Sequence, residues 1–589
     1  MPQKKRWNIA QSSEAAEPLA TALKTSPLIA QMLVNRGITN TEEGQRFLTP
    51  SLKHLHEPEA IPNLRRAAER IAAAIRSNEK IVIYGDYDVD GITATSILWH
   101  AIRLLGGQAE YYIPHRLEEG YGLNAEAIAQ ICEAGAKVII SVDCGITAIA
   151  EARVAGERGV DLIVTDHHDW RIDHATGRPE LPECFTIVHP RLPLEGMAPY
   201  PNPGLCGAGV AFKLAWGLGQ AHNNAVRVSD DFRRFLVEAT ALAALGTIAD
   251  VVPLKGENRM LAHFGLGGLK QSQLTGIKAL IESAKLTGQN LDSYHVGFLL
   301  APRLNACGRM GHAREAVEML TTADLPRATE IATYLETQNR ARQDLERKIL
   351  EQAMEQATEL GCDSADCRGI VLGREDWHPG VIGIVASRVV SRFNKPTIMV
   401  SLSNGHGHGS GRSIAGFHLA KALDACRDHL EACGGHEMAA GLRLESARFE
   451  EFRAAFKEYA RQTVSDEMLI PALNIDCVAE LRQVTQALVT DMQRLGPFGQ
   501  GNPKPLLCCL GVEVAAPPRR VGRTGDHLQL LIRQGTHTMK CIAFKCGELC
   551  DRLQPGVQVD LAVEPTINEF NGYRNVQLEV KDLHFADDK

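Results

Sequence analysis

The sequence predicts an α/β protein: a parallel-sheet domain, a long connecting helix, a second α/β domain and a C-terminal β-barrel. Three observations predict this order. Short apolar strands alternate with helical segments between about residues 63 and 250, which is typical of a parallel sheet covered by helices. An uninterrupted helical pattern follows near residues 321–360. Short β-type runs separated by turns fill the chain after about residue 465, which is typical of a small barrel.

The composition fits a multidomain protein without a membrane or secretory segment. The chain has 589 residues, of which 44% are hydrophobic and 23% charged, so three or four domains are expected. The opening "MPQKKRWNIAQSSEAAEP" has no apolar stretch, so we expect no secretory signal. Fifteen cysteines include no CxxC pair, which favours reduced thiols and a cytoplasmic location. The net charge of −8 argues against a protein that coats nucleic acid non-specifically, but it is compatible with a local basic groove.

The elements of the first domain can be read in order. Residues 1–62 form a mixed N-terminal segment with a helical pattern around "SPLIAQMLVNRG". The first sheet domain is assigned to residues 63–320, where each apolar run precedes a helical segment. The strand candidates are "KIVIYG", "AEYYIP", "KVIISVD" and "DLIVTD". In parallel sheets, ligands bind beyond the carboxyl ends of the strands.

The rest of the chain divides into three further segments. Residues 321–362 are expected to form the connecting helix, because no Gly or Pro interrupts the segment after Pro326 until its last residues. About 30 helical residues would span roughly 45 Å. Residues 363–462 resume the α/β pattern, with "RGIVLGREDWHPGVIGIVASRVV" and Gly-rich runs. Residues 463–589 carry the strands expected in the barrel, such as "HLQLLIRQGTHTMKCIAF".

Three carboxylates follow the first strand, in "KIVIYGDYDVDGITATS". Asp86, Asp88 and Asp90, followed by Gly91, match the first half of a calcium-binding EF-hand loop. That loop needs Glu at its twelfth position, where this chain has Ile97, and it needs an entering helix instead of a strand. The EF-hand interpretation therefore fails, and the repulsion among the carboxylates requires another explanation.

Distant segments place further metal-ligand types at the same sheet edge. Asp143 ends "VIISVD", His167 and His168 end "LIVTDHH", and Asp250 ends the small-residue segment "ALAALGTIAD", which we expect to be a fourth strand end. A lone Asp in such a position is often only a helix N-cap. Together, carboxylates and imidazoles suit Mn²⁺ or Mg²⁺. Two such ions about 3.5–4 Å apart form the clamp used in phosphoester hydrolysis, and Asp143 is the candidate bridge.

These motifs carry a family resemblance. "GDYDVDG", "SVDCGIT", "TDHH" and "GTIADVVPL", in this order, resemble the four motifs of the DHH phosphoesterases. "PRLNACGRMGHA", "HPGVIGIVASRV", "GSGRS" and "GGHEMAAG" resemble the RecJ branch, which contains 5′-to-3′ single-strand-specific DNA exonucleases. The resemblance extends over nearly the whole chain after about residue 60. It implies a catalytic DHH domain, a DHH-associated domain and a C-terminal OB-fold.

The resemblance also implies the ligands of two divalent ions, Mn²⁺ or Mg²⁺. One ion would be shared by Asp90, Asp143, His167 and Asp250, and Asp88 would hold the other with Asp143 as the bridge. Asp86 would be a further ligand or a hydrogen-bond acceptor behind the ligands. His168 is expected at a substrate phosphate. Many members have His where this chain has Tyr84, and a phenol is a poor ligand for Mn²⁺, so we expect weak or substrate-assisted binding of the second ion.

Other residues are candidates for contacts with DNA phosphates, because the planar fork of Arg matches phosphate oxygens. In the "GHGHGSGRSIAGFHL" segment, small residues are expected to lead into a helix whose free N–H groups bind an anion. The resemblance implies that this segment recognises the 5′ end of the strand. Arg303 has the structural alternative of an internal ion pair. The phosphate candidates are Arg116, Arg303, Asn305, Arg309, Ser410, Arg412 and His436.

The predicted activity is hydrolysis of single-stranded DNA from the 5′ end, releasing 5′-mononucleotides in recombination and repair. The resemblance also implies cooperation with a helicase and a single-strand-binding protein, and a monomer is expected. One alternative is a phosphodiesterase for short oligoribonucleotides or cyclic dinucleotides, against which the large segment after residue 465 argues. The other is a non-catalytic DNA-binding protein, against which the nearly intact ligand set argues.

Overall fold

The computed structural model describes residues 5–115, 119–173, 176–310, 313–570 and 573–586, except the side chains of Arg309, Met310 and Phe570. These residues form two compact units. The core unit contains Gln45–Arg340 and Arg494–Lys504, and the terminal unit contains Met1–Gly44, Ala341–Gln493 and Pro505–Lys589. Across the described part of the chain, every helix falls short of the length and apolar character needed to cross a bilayer.

The N-terminal elements are a short strand and three helices. Their bounds are β1 Arg6–Ile9, α1 Ala16–Leu23, α2 Pro27–Asn35 and α3 Thr41–Leu48. Helix α2 coincides with the predicted "SPLIAQMLVNRG" segment. Ser26 caps it by accepting a hydrogen bond from Ile29 N, and Pro27 occupies the first turn, where its missing N–H costs nothing.

The core unit is built on a five-stranded parallel sheet with the strand order β3-β2-β4-β5-β8. The predicted strands and intervening helices are confirmed. The elements are α4 Leu64–Arg76, β2 Lys80–Gly85, α5 Val89–Leu104, β3 Gln108–Tyr112, α6 Ala125–Glu133, β4 Val138–Val142, α7 Ile149–Glu157, β5 Asp161–Thr165, β6 Arg171–Ile172, β7 Pro179–Glu180 and β8 Thr186–Val188.

Strands β2, β4, β5 and β8 are buried on both faces of the sheet, whereas the edge strand β3 is only partly buried. Successive side chains of a strand point to opposite faces. Ile81 and Ile83 of β2 belong to one apolar cluster, with residues of α4 and α5, whereas Val82 and Tyr84 belong to another, with residues of α6 and α7. Fully burying one such aliphatic side chain contributes about 1.5–3 kcal/mol. The two clusters therefore hold the strand ends in a fixed register.

Helices complete the core unit and carry the chain into the terminal unit. They are α8 Gly207–Asn223, α9 Asp230–Ala249, α10 Gly256–Gln271, α11 Thr275–Ser283, α12 Ser293–His295, a π-helical turn Val296–Leu300, α13 Ala301–Met310, α14 Ala313–Thr321 and α15 Leu325–Glu359. The predicted long helix is confirmed as α15, with 35 residues. The predicted fourth strand end is wrong, because "ALAALGTIAD" forms the C-terminal part of α9.

The second sheet has the order β12-β13-β11-β10-β9 and is mixed, because only β9 and β10 are parallel. Its elements are β9 Ile370–Arg374, α16 Pro379–Phe393, β10 Thr397–Ser403, β11 His406–Arg412, α17 Leu419–Ala425, β12 Ala432–Gly435, β13 Ala439–Glu445 and α18 Phe449–Thr463. The helix expected after "GHGHGSGRS" does follow, although not directly. This segment is strand β11, and α17 begins only at Leu419.

The last strands close into a ring. Strands β16, β20, β21, β19 and β18 pair in this order, and β16 pairs again with β18. This closed five-stranded arrangement is that of an OB-fold. The elements are β14 Ala472–Ile475, β15 Cys477–Val478, α19 Gln486–Gln493, β16 Leu507–Val514, β17 Arg519–Val521, β18 His527–Gln534, β19 His537–Ala543, β20 Gln558–Phe570 and β21 Tyr573–Phe585. Strand β1 pairs in parallel with β14.

Candidate metal centre

The first group of acidic side chains lies where β2 turns into α5. Asp88 is the N-cap of α5, and its Oδ1 accepts hydrogen bonds from Asp90 N (2.9 Å) and Gly91 N (3.1 Å). Gly91 is required because a Cβ atom there would lie 2.5 Å from Asp86 O. The tight turn therefore brings Asp86, Asp88 and Asp90 together at the sheet edge.

Asp90 is held by the N-terminus of another helix. Its two carboxylate oxygens accept hydrogen bonds from Gly207 N (2.6 Å) and Ala208 N (2.8 Å) at the start of α8. Such N–H groups have no partner within their helix and carry partial positive charge. From the sequence, no role is assigned to the segment "GLCGAG", although its three glycines at the start of an apolar helical run could indicate an anion-binding turn.

Asp143 follows β4 in a strained conformation. Its φ is +62°, a left-handed value that few residues other than Gly adopt and that Asn and Asp tolerate best. Asp143 N donates to Thr165 O (3.0 Å). A Cβ atom at Gly207 would lie 2.6 Å from Asp143 Cβ, so the start of α8 also packs closely here. The conformation turns this carboxylate into the middle of the cluster.

Asp166 organises the two histidines that follow it. Its Oδ1 accepts hydrogen bonds from His167 N (2.7 Å), His168 N (3.0 Å) and, across the turn, the His168 ring nitrogen Nδ1 (2.8 Å). Its Oδ2 accepts from Ile146 N (2.9 Å). The sequence places Asp166 at the same strand end, directly before His167, but assigns it no role as a ligand.

His167 occupies the centre of the cluster. Its Nε2 lies 3.1 Å from Asp143 Oδ1, 3.7 Å from Asp90 Oδ2 and 3.7 Å from Asp250 Oδ2. Asp250 reaches this place from the C-terminus of α9 and not from a strand. Four residues from four separate segments therefore converge, as the sequence predicted, although one arrives on a different type of element.

Among the described residues, the cluster contains three overlapping groups, and within each group the ligand atoms lie within 4.8 Å of one another. They are Asp90 with His167 and Asp250, Asp143 with His167 and His168, and Asp86 with Asp88 and Asp143. Asp143 is shared by two groups, which is the position required of a bridging ligand. Oxygen-rich sites with one or two imidazoles suit Mn²⁺ or Mg²⁺.

The electrostatics of the cluster fit a bound cation. Burial raises the pKa of Asp143 well above its usual range, and the surrounding carboxylates act in the same direction. Burial and the charges of Asp90 and Asp88 raise the pKa of Asp250 to about 8, and burial lowers the pKa of His167 to about 4. A divalent cation would favour charged carboxylates and a neutral imidazole.

Two atoms in the centre support the same conclusion. Among the described residues, Asp143 Oδ1 and His167 Nε2 are buried and have no hydrogen-bond partner, although they lie 3.1 Å apart. Buried polar atoms are rarely left unsatisfied, because the loss costs about 1–3 kcal/mol each. A metal ion between these groups would satisfy both of them, so the donor set fits Mn²⁺ or Mg²⁺.

His168 and Tyr84 take different roles. Burial disfavours the charged ring of His168, yet the hydrogen bond and charge of Asp166 raise its pKa to about 9. A partly exposed, protonated imidazole is suited to a phosphate oxygen. Tyr84 is fully buried, and its hydroxyl donates to Gly122 O (3.2 Å), while burial raises its pKa. Its phenol therefore stays neutral and engaged with the backbone.

The phosphate candidates of the core unit have diverse surroundings. Arg303 forms an ion pair with Glu336 (2.7 Å) and donates to Leu299 O (2.5 Å), which is the structural alternative raised above. Asn305 Oδ1 accepts from Val89 N (3.1 Å), so this side chain braces the first turn of α5. Arg116 and the side chain of Arg309 lie outside the described residues.

The candidates of the terminal unit lie on the second sheet. On β11, Arg412 Nη1 donates to Ser410 Oγ (3.2 Å). A Cβ atom at Gly383 would lie 2.8 Å from Ser410 Oγ and 3.2 Å from Arg412 Nη2, so both side chains face the first turns of α16. Burial lowers the pKa of Arg412, and no carboxylate of the described residues acts on it. His436 lies in the exposed turn between β12 and β13.

Comparison with protein families gives three matches along the chain. The model described as "DHH family, N-terminal domain" matches residues 80–243. The DHHA1 domain matches residues 367–462, and the RecJ OB domain matches residues 475–582. They correspond in order to the parallel sheet, the mixed sheet and the ring of strands.

Known proteins resemble the chain over nearly its whole length. The single-stranded-DNA-specific exonuclease RecJ of Bacillus subtilis is 39% identical over 98% of this chain and 71% of the relative. RecJ of Dickeya dadantii is 34% identical over 94% and 96%. A crystal structure of RecJ from Thermus thermophilus in complex with Mn²⁺ superposes with a TM-score of 0.82, at 31% identity, over 98% of this chain and 79% of that one.

Proposed function

The chain belongs to the RecJ family of single-stranded-DNA-specific exonucleases, and from this premise we propose that it hydrolyses single-stranded DNA from the 5′ end to 5′-mononucleotides, in DNA recombination and repair. The observation that carries the proposal is the convergence of Asp90, Asp143, His167 and Asp250. A DNA-binding protein without catalytic activity has no need of such a repelling, buried cluster.

The ligand assignment follows the three groups at the sheet edge. Asp90, Asp143, His167 and Asp250 would hold one Mn²⁺ or Mg²⁺ ion, and Asp88 with Asp143 would hold the other, assisted by Asp86. When bound, two such ions lower the pKa of a water and neutralise charge that builds on the phosphoryl oxygens. Because Tyr84 stands where many relatives have His, we infer that the second ion binds more weakly.

The chain's own residues prepare the site for this chemistry. The start of α8 fixes both carboxylate oxygens of Asp90, and Asp166 fixes the backbone N–H groups of His167 and His168. Asp90 and the two histidines therefore need not reorganise when substrate arrives. His168, with its raised pKa, would donate a hydrogen bond from its protonated ring to a phosphate oxygen next to the scissile bond. Asn305 would act through Val89 N by holding the first turn of α5.

The polarity of the reaction depends on recognition of a terminal phosphate. We assign this role to Ser410 and Arg412, because Arg412 is half-buried and no carboxylate of the described residues acts on it, and because both side chains face the first turns of a helix. His436 would contact the strand backbone. Arg303, Arg309 and Arg116 remain proposed phosphate contacts, and for Arg303 this requires exchange of its Glu336 partner.

A product analysis tests the proposal. Single strands labelled at the 5′ or the 3′ end are incubated with Mn²⁺ or Mg²⁺, beside a duplex of the same sequence and a dinucleotide. The 5′-labelled strand should release labelled mononucleotide from the first turnover, whereas the 3′-labelled strand should shorten progressively. Preferred cleavage of the dinucleotide would favour a short-oligonucleotide phosphodiesterase, and release of no nucleotide would favour a mere DNA binder.

Further properties are proposed on narrower grounds. Fifteen unpaired cysteines support a cytoplasmic location. Cooperation with a helicase and a single-strand-binding protein, and a monomeric state, follow from the resemblance alone. We propose the segments 1–62, 63–320, 321–362, 363–462 and 463–589 as domains in sequence, while the compact units group parts of them differently.

A further inference from the structure

A loop from the C-terminal part of the chain, Arg494–Lys504, belongs to the core unit. It lies against the turn that follows Asp250. We propose that this loop, which we call the clamp loop, positions Asp250 for metal binding and so makes residues far outside the DHH motifs part of the metal site. The inference rests on the proposed function, because it concerns the same metal centre.

The turn after Asp250 is strained. Val251 has a φ of +59° and an exposed side chain. A β-branched residue is a clear outlier in the left-handed region, and such a conformation persists only where the surroundings determine it strongly. Asn258 provides part of this restraint, because its side-chain nitrogen donates to Pro253 O (3.0 Å) and Gly204 O (2.5 Å).

The clamp loop supplies restraint from the other side of the turn. Leu254 N donates to Gln500 O (2.7 Å). A Cβ atom at Gly499 would lie 2.8 Å from Leu254 Cδ1, and one at Gly501 would lie 3.0 Å from Pro253 Cβ. The two glycines therefore let the backbone of the loop approach the turn more closely than side chains would allow.

The clamp loop is anchored by a buried arginine. Arg259, which is 3% exposed, lies with its Nη2 within 3.1, 3.4 and 2.6 Å of the carbonyl oxygens of Arg494, Leu495 and Gly496. Its guanidinium lies 3.7 Å from the ring centre of Phe47. Arg259 directly follows Asn258 in α10. The first turn of one helix thus holds both the strained turn and the loop that covers it.

The clamp loop should influence metal binding through the position of Asp250. Asp250 Oδ2 lies 3.7 Å from His167 Nε2, and the direction of its side chain depends on the backbone that continues into Val251. Loosening the clamp loop should therefore displace Asp250 and weaken metal binding. It should leave the proposed DNA contacts on β11 unaffected, because none of them lies in this part of the chain.

The test compares two glycine substitutions in the full-length protein. Gly501→Ala places a Cβ atom against Pro253 at a φ of +71°, whereas Gly288→Ala places one in open space at a φ of +79°. Mn²⁺ binding is measured without DNA by the paramagnetic resonance of free Mn²⁺, and KM and kcat are measured on single-stranded DNA. Gly501→Ala should weaken Mn²⁺ binding about 10-fold or more and lower kcat at limiting Mn²⁺, with KM for DNA unchanged.

Arg259 variants provide a second reading. Arg259→Met removes the anchor, whereas Arg259→Lys retains one donor, so Mn²⁺ affinity should fall in the order wild type, Lys, Met, with circular dichroism verifying folding. Mn²⁺ affinity of Gly501→Ala equal to that of Gly288→Ala would overturn the proposal, as would a rise confined to KM for DNA. A wild-type protein that binds Mn²⁺ but releases no nucleotide would instead refute the proposed function.

Discussion

Replacement of Asp143 by Asn should make the metal-free protein more stable and the enzyme inactive. Asn is the suitable substitution because it tolerates the φ of +62° that Asp143 adopts, whereas Ala would add backbone strain. At about 4–5 Å and an effective dielectric constant near 20, each pair of charged carboxylates repels by roughly 3–4 kcal/mol. Carboxylate oxygens of Asp86, Asp88 and Asp143 lie within 4.8 Å of one another, so Asp143 takes part in two such pairs.

Less than the full repulsion is expected, because burial and the surrounding carboxylates raise the pKa of Asp143 and so favour its uncharged form. We therefore expect a gain of about 1–2 kcal/mol, or roughly 2–6 °C in the melting transition of the core unit. With Mn²⁺ at about 100 times its dissociation constant, the free energy of unfolding of the wild type should rise by about 2.7 kcal/mol. The Asp143→Asn variant should show little of this increase.

The assay is thermal unfolding in EDTA and in Mn²⁺, followed by hydrolysis of a labelled single strand. Loss of the bridge should lower kcat about 10³-fold or more, since each 1.36 kcal/mol of lost transition-state stabilisation is tenfold in rate, while strand binding in EDTA stays intact. Asp231→Asn, at an exposed position of α9, is the matched control. Hydrolysis of the strand by Asp143→Asn at the wild-type rate and at equal Mn²⁺ concentration would refute the reasoning. A lower melting temperature of the variant than of the wild type in EDTA would also refute it.

Three further predictions concern the residues around the ligands. Asp166→Ala removes the acceptor that fixes His167 and His168 and should weaken Mn²⁺ binding about 10- to 100-fold; unchanged affinity in a Mn²⁺ titration would contradict this. Arg412→Lys should raise KM about 10-fold for a 5′-phosphorylated strand, and an equal rise for a 5′-hydroxyl strand would argue against terminal phosphate recognition. In EDTA, stability should fall as the pH rises from about 6.5 to about 8, because the raised pKa values of Asp250, about 8, and His168, about 9, mean that the folded state binds these protons more tightly than the unfolded state does. Below about pH 6.5 the lowered pKa of His167, about 4, acts in the opposite direction. Melting curves that do not change between about pH 6.5 and 8 would contradict this.

The parallel sheet and most of its edge could be predicted because the signals are local. The runs "KIVIYG", "KVIISVD" and "DLIVTD" are apolar on both faces and end in polar residues, so β2, β4 and β5 and the positions of Asp143 and His167 follow from the period of the pattern. The barrel strands β18 to β21 follow from turn signals between β-type runs. Such features need no knowledge of distant contacts.

Asp250 and Ser410 show where local patterns fail. "ALAALGTIAD" is apolar enough for a buried strand, and periodicity alone does not distinguish such a run from a buried helix, which is what α9 is. "GHGHGSGRS" has no strand-forming side chains, yet it pairs with β10 and β13 on both sides. Tertiary pairing overrides the weak strand preference of glycine in this segment.

The supporting residues could not be found from the sequence because their partners are distant. Asp90 is bound by N–H groups 117 and 118 residues away, and Arg259 is bound to carbonyls 235 to 237 residues away. The type of a residue does not indicate whether its backbone N–H or carbonyl group binds a distant side chain. Only the folded chain shows which of them are used.

The parallel pairing of β1 with β14 has a consequence for how the protein is made. Asn8 and Asn474 are joined by a hydrogen bond across 466 positions, so the N-terminal strand emerges from the ribosome long before its partner exists. At about 5–20 residues per second, it waits roughly 25–95 s with an open edge. The β1–β14 pairing is therefore among the last contacts that a newly made chain can form.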